Sequence, residues 1–125
     1  MTQDAINIIC AYYLEPDAEM IRRAYELART SLDGKFRSNS HPFIEHPLGV
    51  ADIVARELGL GADAVAAVFL HEATRMDNAL LSPVKDSFSR TVLDMAVSLN
   101  KISEIKPKDT RLEADRYRKL IATYS

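Results

Sequence analysis

The segment VAAVFLHEATRMDN, Val65 to Asn78, decides how this chain folds. It opens within the longest clean apolar run, Ala64 to Leu70, which is far too short to span a bilayer. The run closes on His-Glu, so the most apolar helix of the chain carries an imidazole and a carboxylate at its end. Three readings follow from that ending: a metal site, the remains of one, or the end of a buried helix. An arginine and a methionine, Arg75 and Met76, follow where a hydrolase would want carboxylates.

On the N-terminal side of this segment apolar residues recur at helical spacing, as Ile6, Ile9 and Cys10; Ile21, Ala24, Tyr25, Ala28 and Leu32; and Val50, Ile53, Val54 and Leu58. No segment alternates as a strand would. The pattern predicts an all-α bundle of about six or seven helices. Pro16 and Asp17 precede the second helix and Asp33-Gly34 ends it, while "RSNSHP" is a polar loop rich in turn formers. Pro47 suits the first turn of a third helix ending at Gly59, and Gly61 to Asp63 open a fourth. In "LSPVKDSF", Ser82 suits an N-cap with Pro83 at the first helical position. "KPKDT" separates a helix ending near Ile105 from a last one starting near Asp109 or Thr110.

A chain of 125 residues is one domain's worth. At that length roughly two-thirds of the unfolded surface leaves water on folding, so neither disulfides nor a structural metal is needed. The net charge of −2 argues against a general nucleic-acid or membrane binder. The locally basic stretch Lys101 to Lys119 reads either as a solvated helix surface or as a phosphate-facing patch. Cys10, the single cysteine, sits among apolar residues and reads as a small buried hydrophobe. A reducing cytoplasm fits that usage, and the N-terminus lacks a leader pattern. The last helix runs to Ser125 without a stop signal, which predicts a single domain, 1–125, cut from a longer protein, a short natural protein ending in a frayed helix being the other reading.

Two of the three histidines occupy suggestive places. His46 lies in "FIEHPLGVADIV" at a helix start, and His71 lies beside Glu72. Imidazole nitrogen and carboxylate oxygen suit a borderline or hard divalent ion. Two separate single histidines have no diagnostic spacing, so spacing alone leaves His71 either a satisfied helix-end residue or a ligand.

The order "LDGKFRSNSHPFIEHPLGVADIVARELGLGADAVAAVFLHEA", followed by a short helix and "VSLNKISEI", resembles the N-terminal hydrolase domain of RelA/SpoT-type proteins. These are synthetase/hydrolases of guanosine tetra- and pentaphosphate, the alarmone of the stringent response, and the domain is of the HD superfamily of metal-dependent phosphohydrolases. The likeness covers about Ala18 to Ile121. It implies an HD-domain helical bundle in which His46, His71 and Glu72 hold manganese, Glu72 standing where the family has Asp. Arg37 and Ser38 match the loop that holds the guanine base, the arginine plane stacking on the purine. A solvated loop cation is the other reading of Arg37. The partners implied are the alarmone and a synthetase domain of the parent protein, with no nucleic acid and no membrane.

Three departures from the family pattern bear on activity. Glu72 carries its carboxylate one C–C bond further out than Asp, roughly 1.5 Å. The family's water-activating Glu-Asp pair falls at Arg75 and Met76, neither of which can act as a general base. Asp77 is the rescue candidate, one residue late; on a helix that shift turns the side chain by about 100°, whereas a loop there would compensate. The family's last ligand, an Asp, belongs to a helix beyond the region that "EADRYRKLIATYS" resembles, and Asp115-Arg116 only mimics its motif. Arg75 reads as a surface arginine, as a partner of Glu72 in place of a metal, or as a phosphate grip. The resulting expectation is an HD domain with an inactive or strongly impaired hydrolase centre, regulatory in its parent protein. The alternatives are an active manganese-dependent guanosine-3′,5′-bis(diphosphate) 3′-pyrophosphohydrolase, and a helical interaction module that binds no nucleotide.

Overall fold

A computed structural model describes residues 2–36, 42–77, 81–103 and 110–121. Seven α-helices lie among them: α1 (Thr2–Cys10), α2 (Asp17–Ser31), α3 (Glu45–Asp52), α4 (Ala62–Met76), α5 (Leu81–Ser87), α6 (Arg90–Ser103) and α7 (Thr110–Ile121). The described residues contain no strand; one isolated bridge pairs Phe36 with Pro42. The all-α bundle expected from the spacing is therefore the observed architecture.

Helix α4 is the centre. Every residue from Ala64 to Thr74 is buried, the outcome for a helix apolar around its whole circumference. It packs chiefly against α2 and α6, with α3 alongside. α2 faces it with Ile21, Ala24, Tyr25 and Ala28, an i, i+3, i+4, i+7 stripe, and α6 does the same with Val92, Met95, Ala96 and Leu99. The Tyr25 ring meets Phe69 edge to face, 5.6 Å between centroids. The outer face of α2 is charged and carries the exposed pairs Arg23–Glu19 and Arg29–Glu26. Arg23 also lies over the Phe88 ring and donates to the Ser87 carbonyl, tying the α5–α6 turn to α2.

Within the described residues the boundaries follow the sequence signals with two differences; the helix ends expected near Ile105 and Asp109, and most of the "RSNSHP" loop, lie outside those residues. α3 does not run straight to its glycine stop; it widens into a π turn over Ile53–Glu57 before Gly59 takes a positive φ of 64°. The wider turn changes the phase of the side chains, so Val54 and Ala55 are both buried while Ile53 and Leu58 are half-buried. α5 starts at Leu81, which puts Ser82 and Pro83 inside its first turn instead of at its edge. A proline is tolerated there because first-turn N–H groups have no partner within the helix. The cap that does act in this region is Ser89, whose Oγ accepts from the Val92 N–H at the start of α6.

Tyr13, after α1, ties the first turn of the chain to the start of α4 by donating its hydroxyl to the Leu60 carbonyl at 2.6 Å. Burial, with a smaller contribution from the Asp17 carboxylate, pushes this phenol from 10 up to about 12. The folded chain therefore holds that proton more firmly than the unfolded chain. The stabilisation is intact below pH 10 and is lost as the pH climbs towards 12. Tyr13→Phe should flatten the alkaline fall in stability over that interval, read by denaturant unfolding at stepped pH; an unchanged fall would show that other groups cause it.

The Tyr25 hydroxyl, deep against α4, finds no hydrogen-bond partner among the described residues. A buried unpaired hydroxyl is a net cost that phenylalanine removes without changing the ring. Tyr25→Phe is expected to leave stability unchanged or to raise it by up to about 1–2 kcal/mol. A loss of similar size in the same unfolding measurement would reveal a partner for the hydroxyl.

Candidate active site

The polar residues at the C-terminal end of α4 are enclosed by the same packing that buries its apolar run. His71, Glu72 and Thr74 are each no more than 2% exposed. Buried polar groups must find partners within the protein, and here three helices supply them. The Thr74 hydroxyl donates to the Leu70 carbonyl at 2.9 Å, so its oxygen is left to accept the Asn100 amide N–H from α6 at 3.4 Å. That fixes the Asn100 carbonyl towards His71, where Nδ1 lies 3.2 Å away. An amide oxygen only accepts, so Nδ1 carries the proton. On a neutral ring Nε2 then accepts the Tyr117 hydroxyl of α7, at 2.9 Å. The two rings also meet edge to face at 5.3 Å.

Glu72 completes the cluster. Its Oε1 lies 3.3 Å from His71 Nε2, and its Oε2 accepts from Arg75 Nη2 at 2.8 Å. Glu72 is almost wholly enclosed, whereas Arg75, one turn later, keeps 38% of its side chain in contact with solvent. The arginine reaches inward from the surface to the carboxylate.

His46 sits in the first turn of α3, half-buried, its ring edge to face with Phe43 at 6.4 Å. Among the described residues no three His, Cys, Asp or Glu side chains are arranged to hold a metal ion. The structure thus joins His71 to Glu72 and Arg75, and does not bring His46 into a three-ligand set with them. Two of the donor atoms a divalent ion would use are engaged within the protein when the ring is neutral. The Nε2 lone pair takes the Tyr117 proton, and Glu72 Oε2 is committed to a guanidinium.

α4 ends at Met76, and Asp77 follows in an extended conformation with its N–H on the Ala73 carbonyl. Met76 and Asp77 are both exposed. Asp77 is therefore off the helix, the arrangement in which a one-residue displacement has no fixed angular consequence. Asp115 lies half-buried on α7 between the buried Ala114 and Tyr117. Arg37 and Ser38 lie outside the described residues.

Asn100 and Tyr117 were not singled out from the sequence. Asn100 follows a buried leucine on an amphipathic helix and Tyr117 stands three residues after a buried alanine, so both read as ordinary helix positions. Only the fold shows that they converge on one imidazole. No helix among the described residues is long and apolar enough to cross a membrane.

Comparison with known proteins agrees with this architecture. The chain is 30% identical over 116 residues to the bifunctional (p)ppGpp synthase/hydrolase SpoT of Escherichia coli K12, covering 92% of this chain and 16% of that protein. It is 36% identical over 104 residues to a guanosine-3′,5′-bis(diphosphate) 3′-pyrophosphohydrolase of Aquifex aeolicus, covering 83% and 14%. It is 25% identical over 117 residues to a GTP pyrophosphokinase of Myxococcus xanthus, covering 90% and 15%. The chain thus spans about a sixth of the length of the relatives it matches. Since residues 24–125 match the HD-domain family model, the chain belongs to the HD-domain family, and within it resembles the RelA/SpoT proteins.

Proposed function

We propose that this HD domain serves alarmone metabolism in a RelA/SpoT-like protein, with a hydrolase centre that is inactive or strongly impaired and a regulatory role towards a synthetase domain. HD hydrolases typically bind divalent metals, and a bound divalent ion would supply an acidified water and a polarised phosphoryl group. The observation that carries the reading is the side chains after His71-Glu72: the positions of a water-activating acidic pair hold Arg75, engaged with Glu72, and Met76, exposed to solvent. Arginine stays protonated and a thioether takes no proton, so neither moves a proton from an attacking water. Loss of a general base alone lowers turnover by about 10²–10⁴. Glu72 adds to that loss, because its Oε2 is engaged by the Arg75 guanidinium. The parent's synthetase domain and the guanine-binding role of Arg37 and Ser38 belong to this reading, supported by the likeness to relatives named as synthases and pyrophosphokinases.

The position of Asp77 beyond the end of α4 favours the competing reading, an active manganese-dependent hydrolase in which His46, His71 and Glu72 hold the ion and Asp77 supplies the base. Incubating this chain, and any longer form in which it occurs, with guanosine tetraphosphate and Mn²⁺ is expected to release no pyrophosphate above background. Asp77→Asn should change nothing. Clear release that Asp77→Asn abolishes would establish the competing reading.

Nucleotide binding is separable from cleavage. Arg37→Ala is expected to weaken guanosine tetraphosphate binding by about 2- to 30-fold, the range of a cation stacked on an aromatic ring. The measurement is a calorimetric titration without metal. If the unaltered chain shows no heat of binding, the domain is an interaction module and the alarmone reading fails.

A further inference from the structure

We propose that the Arg75 guanidinium is the resident cation of this centre: it neutralises the buried Glu72 from within the chain, so the domain folds and keeps its His71–Glu72 centre intact without a divalent ion. The inference deepens the functional reading of the same site and rests on its assignment of Glu72 as the displaced acidic ligand.

Glu72 is only 1% exposed, yet it lies in the core of the bundle as a carboxylate. A carboxylate taken out of water is strongly unfavourable unless a positive charge and hydrogen bonds compensate for it. Among the described residues three sources of compensation are chemically available: an imidazolium at His71, a divalent ion, or Arg75. The hydrogen-bond directions from Thr74 through Asn100 place a proton on Nδ1, and on a neutral ring Nε2 accepts the Tyr117 hydroxyl and lends Glu72 no charge, whereas the guanidinium is charged whatever the state of the ring. A divalent ion at Nε2 would displace the Tyr117 hydroxyl and at Oε2 the guanidinium, and no third ligand stands with them among the described residues. Arg75 remains. It meets Oε2 at 2.8 Å, within the range of charge-assisted hydrogen bonds.

Its place in the chain suits the role. Residues three apart on a helix are neighbours, so the contact needs no rearrangement of other helices. A cation in the last turn of α4 is also favoured by the helix dipole. Because the guanidinium does not deprotonate at any physiological pH, this cation, unlike a bound ion, cannot dissociate or be chelated. A divalent ion entering at Glu72 would meet a fixed like charge, so Arg75 also acts against metal uptake.

Thermal unfolding and Mn²⁺ binding of the full chain test this in four forms: unaltered, Arg75→Ala, Glu72→Gln, and Glu72→Gln/Arg75→Ala. The unaltered chain is expected to melt at the same temperature in EDTA and in excess Mn²⁺, and to bind no stoichiometric Mn²⁺ by electron paramagnetic resonance. Arg75→Ala leaves Glu72 unpaired and should melt about 10 °C lower or more. Excess Mn²⁺ should raise that value again, because the ion now finds an uncompensated carboxylate. Removing the carboxylate as well should recover at least half of the loss and abolish the response to Mn²⁺. An arginine that merely covers the surface predicts the opposite: Arg75→Ala melting with the unaltered chain, and a double variant no better than the single one.

If Arg75→Ala does not fold, a folded double variant supports the proposal and an unfolded one overturns it. An unaltered chain that binds Mn²⁺ and gains thermal stability from it overturns the proposal. If that chain still releases no pyrophosphate, the functional reading survives while this inference falls.

Discussion

The structure depends on one constraint: α4 is buried around its whole circumference, and its sequence nevertheless ends in residues that must be hydrogen-bonded or paired. An apolar helix in the middle of a bundle imposes nothing on its neighbours beyond shape. A central helix carrying His71, Glu72 and Thr74 dictates which polar groups those neighbours present, and at which turn. α6 brings Asn100 one position after its last buried leucine, and α7 brings Tyr117. The placement of the last two helices is thus specified by hydrogen bonds as well as by packing. Such networks are demanding, since a half-satisfied one costs more than an apolar core would.

Much of this was legible in the sequence, for a definite reason. A helix one face of which is buried must repeat its apolar residues with the helical period, and α2 repeats them as Ile21, Ala24, Tyr25 and Ala28, all buried. Glycines at 34 and 59 do take the positive φ that their place after helices implied. The π turn was not legible, because widening a helix by one residue leaves composition and capping signals unchanged. The register of α5 was misplaced for a related reason: Ser82-Pro83 fits a helix start as well as a first turn.

At the site the division is sharper. His71, Glu72 and Arg75 are close in sequence on a single helix, so their meeting follows from helical geometry alone. The partners that orient the imidazole come from Asn100 and Tyr117, 29 and 46 residues away in sequence, and nothing local marks a residue for a contact at that distance. His46 belongs to the same class. Whether α3 delivers its side chain to α4 depends on tertiary packing, and spacing along the chain carries no information about it. The guanine-loop residues Arg37 and Ser38 lie outside the described residues, so their reading continues to rest on resemblance.

The proposed replacement of an ion by an arginine would change what the centre does mechanically as well as chemically. A coordinated ion draws ligands from several helices to one point, so its binding energy tightens the bundle and its loss loosens it. The Arg75–Glu72 pair is made between residues three apart on α4 and joins that helix only to itself. Polar cross-linking of α4 to α6 and α7 therefore falls to His71, which meets one helix through each ring nitrogen, and to Thr74, which accepts from Asn100. On the proposal above, a domain so arranged would keep its bundle whatever the supply of metal. In the reading proposed above, a centre with no acidic pair after His71-Glu72 and with its own counter-charge would be free of the requirements of turnover, while the polar core of His71, Thr74, Asn100 and Tyr117 still orders the helices.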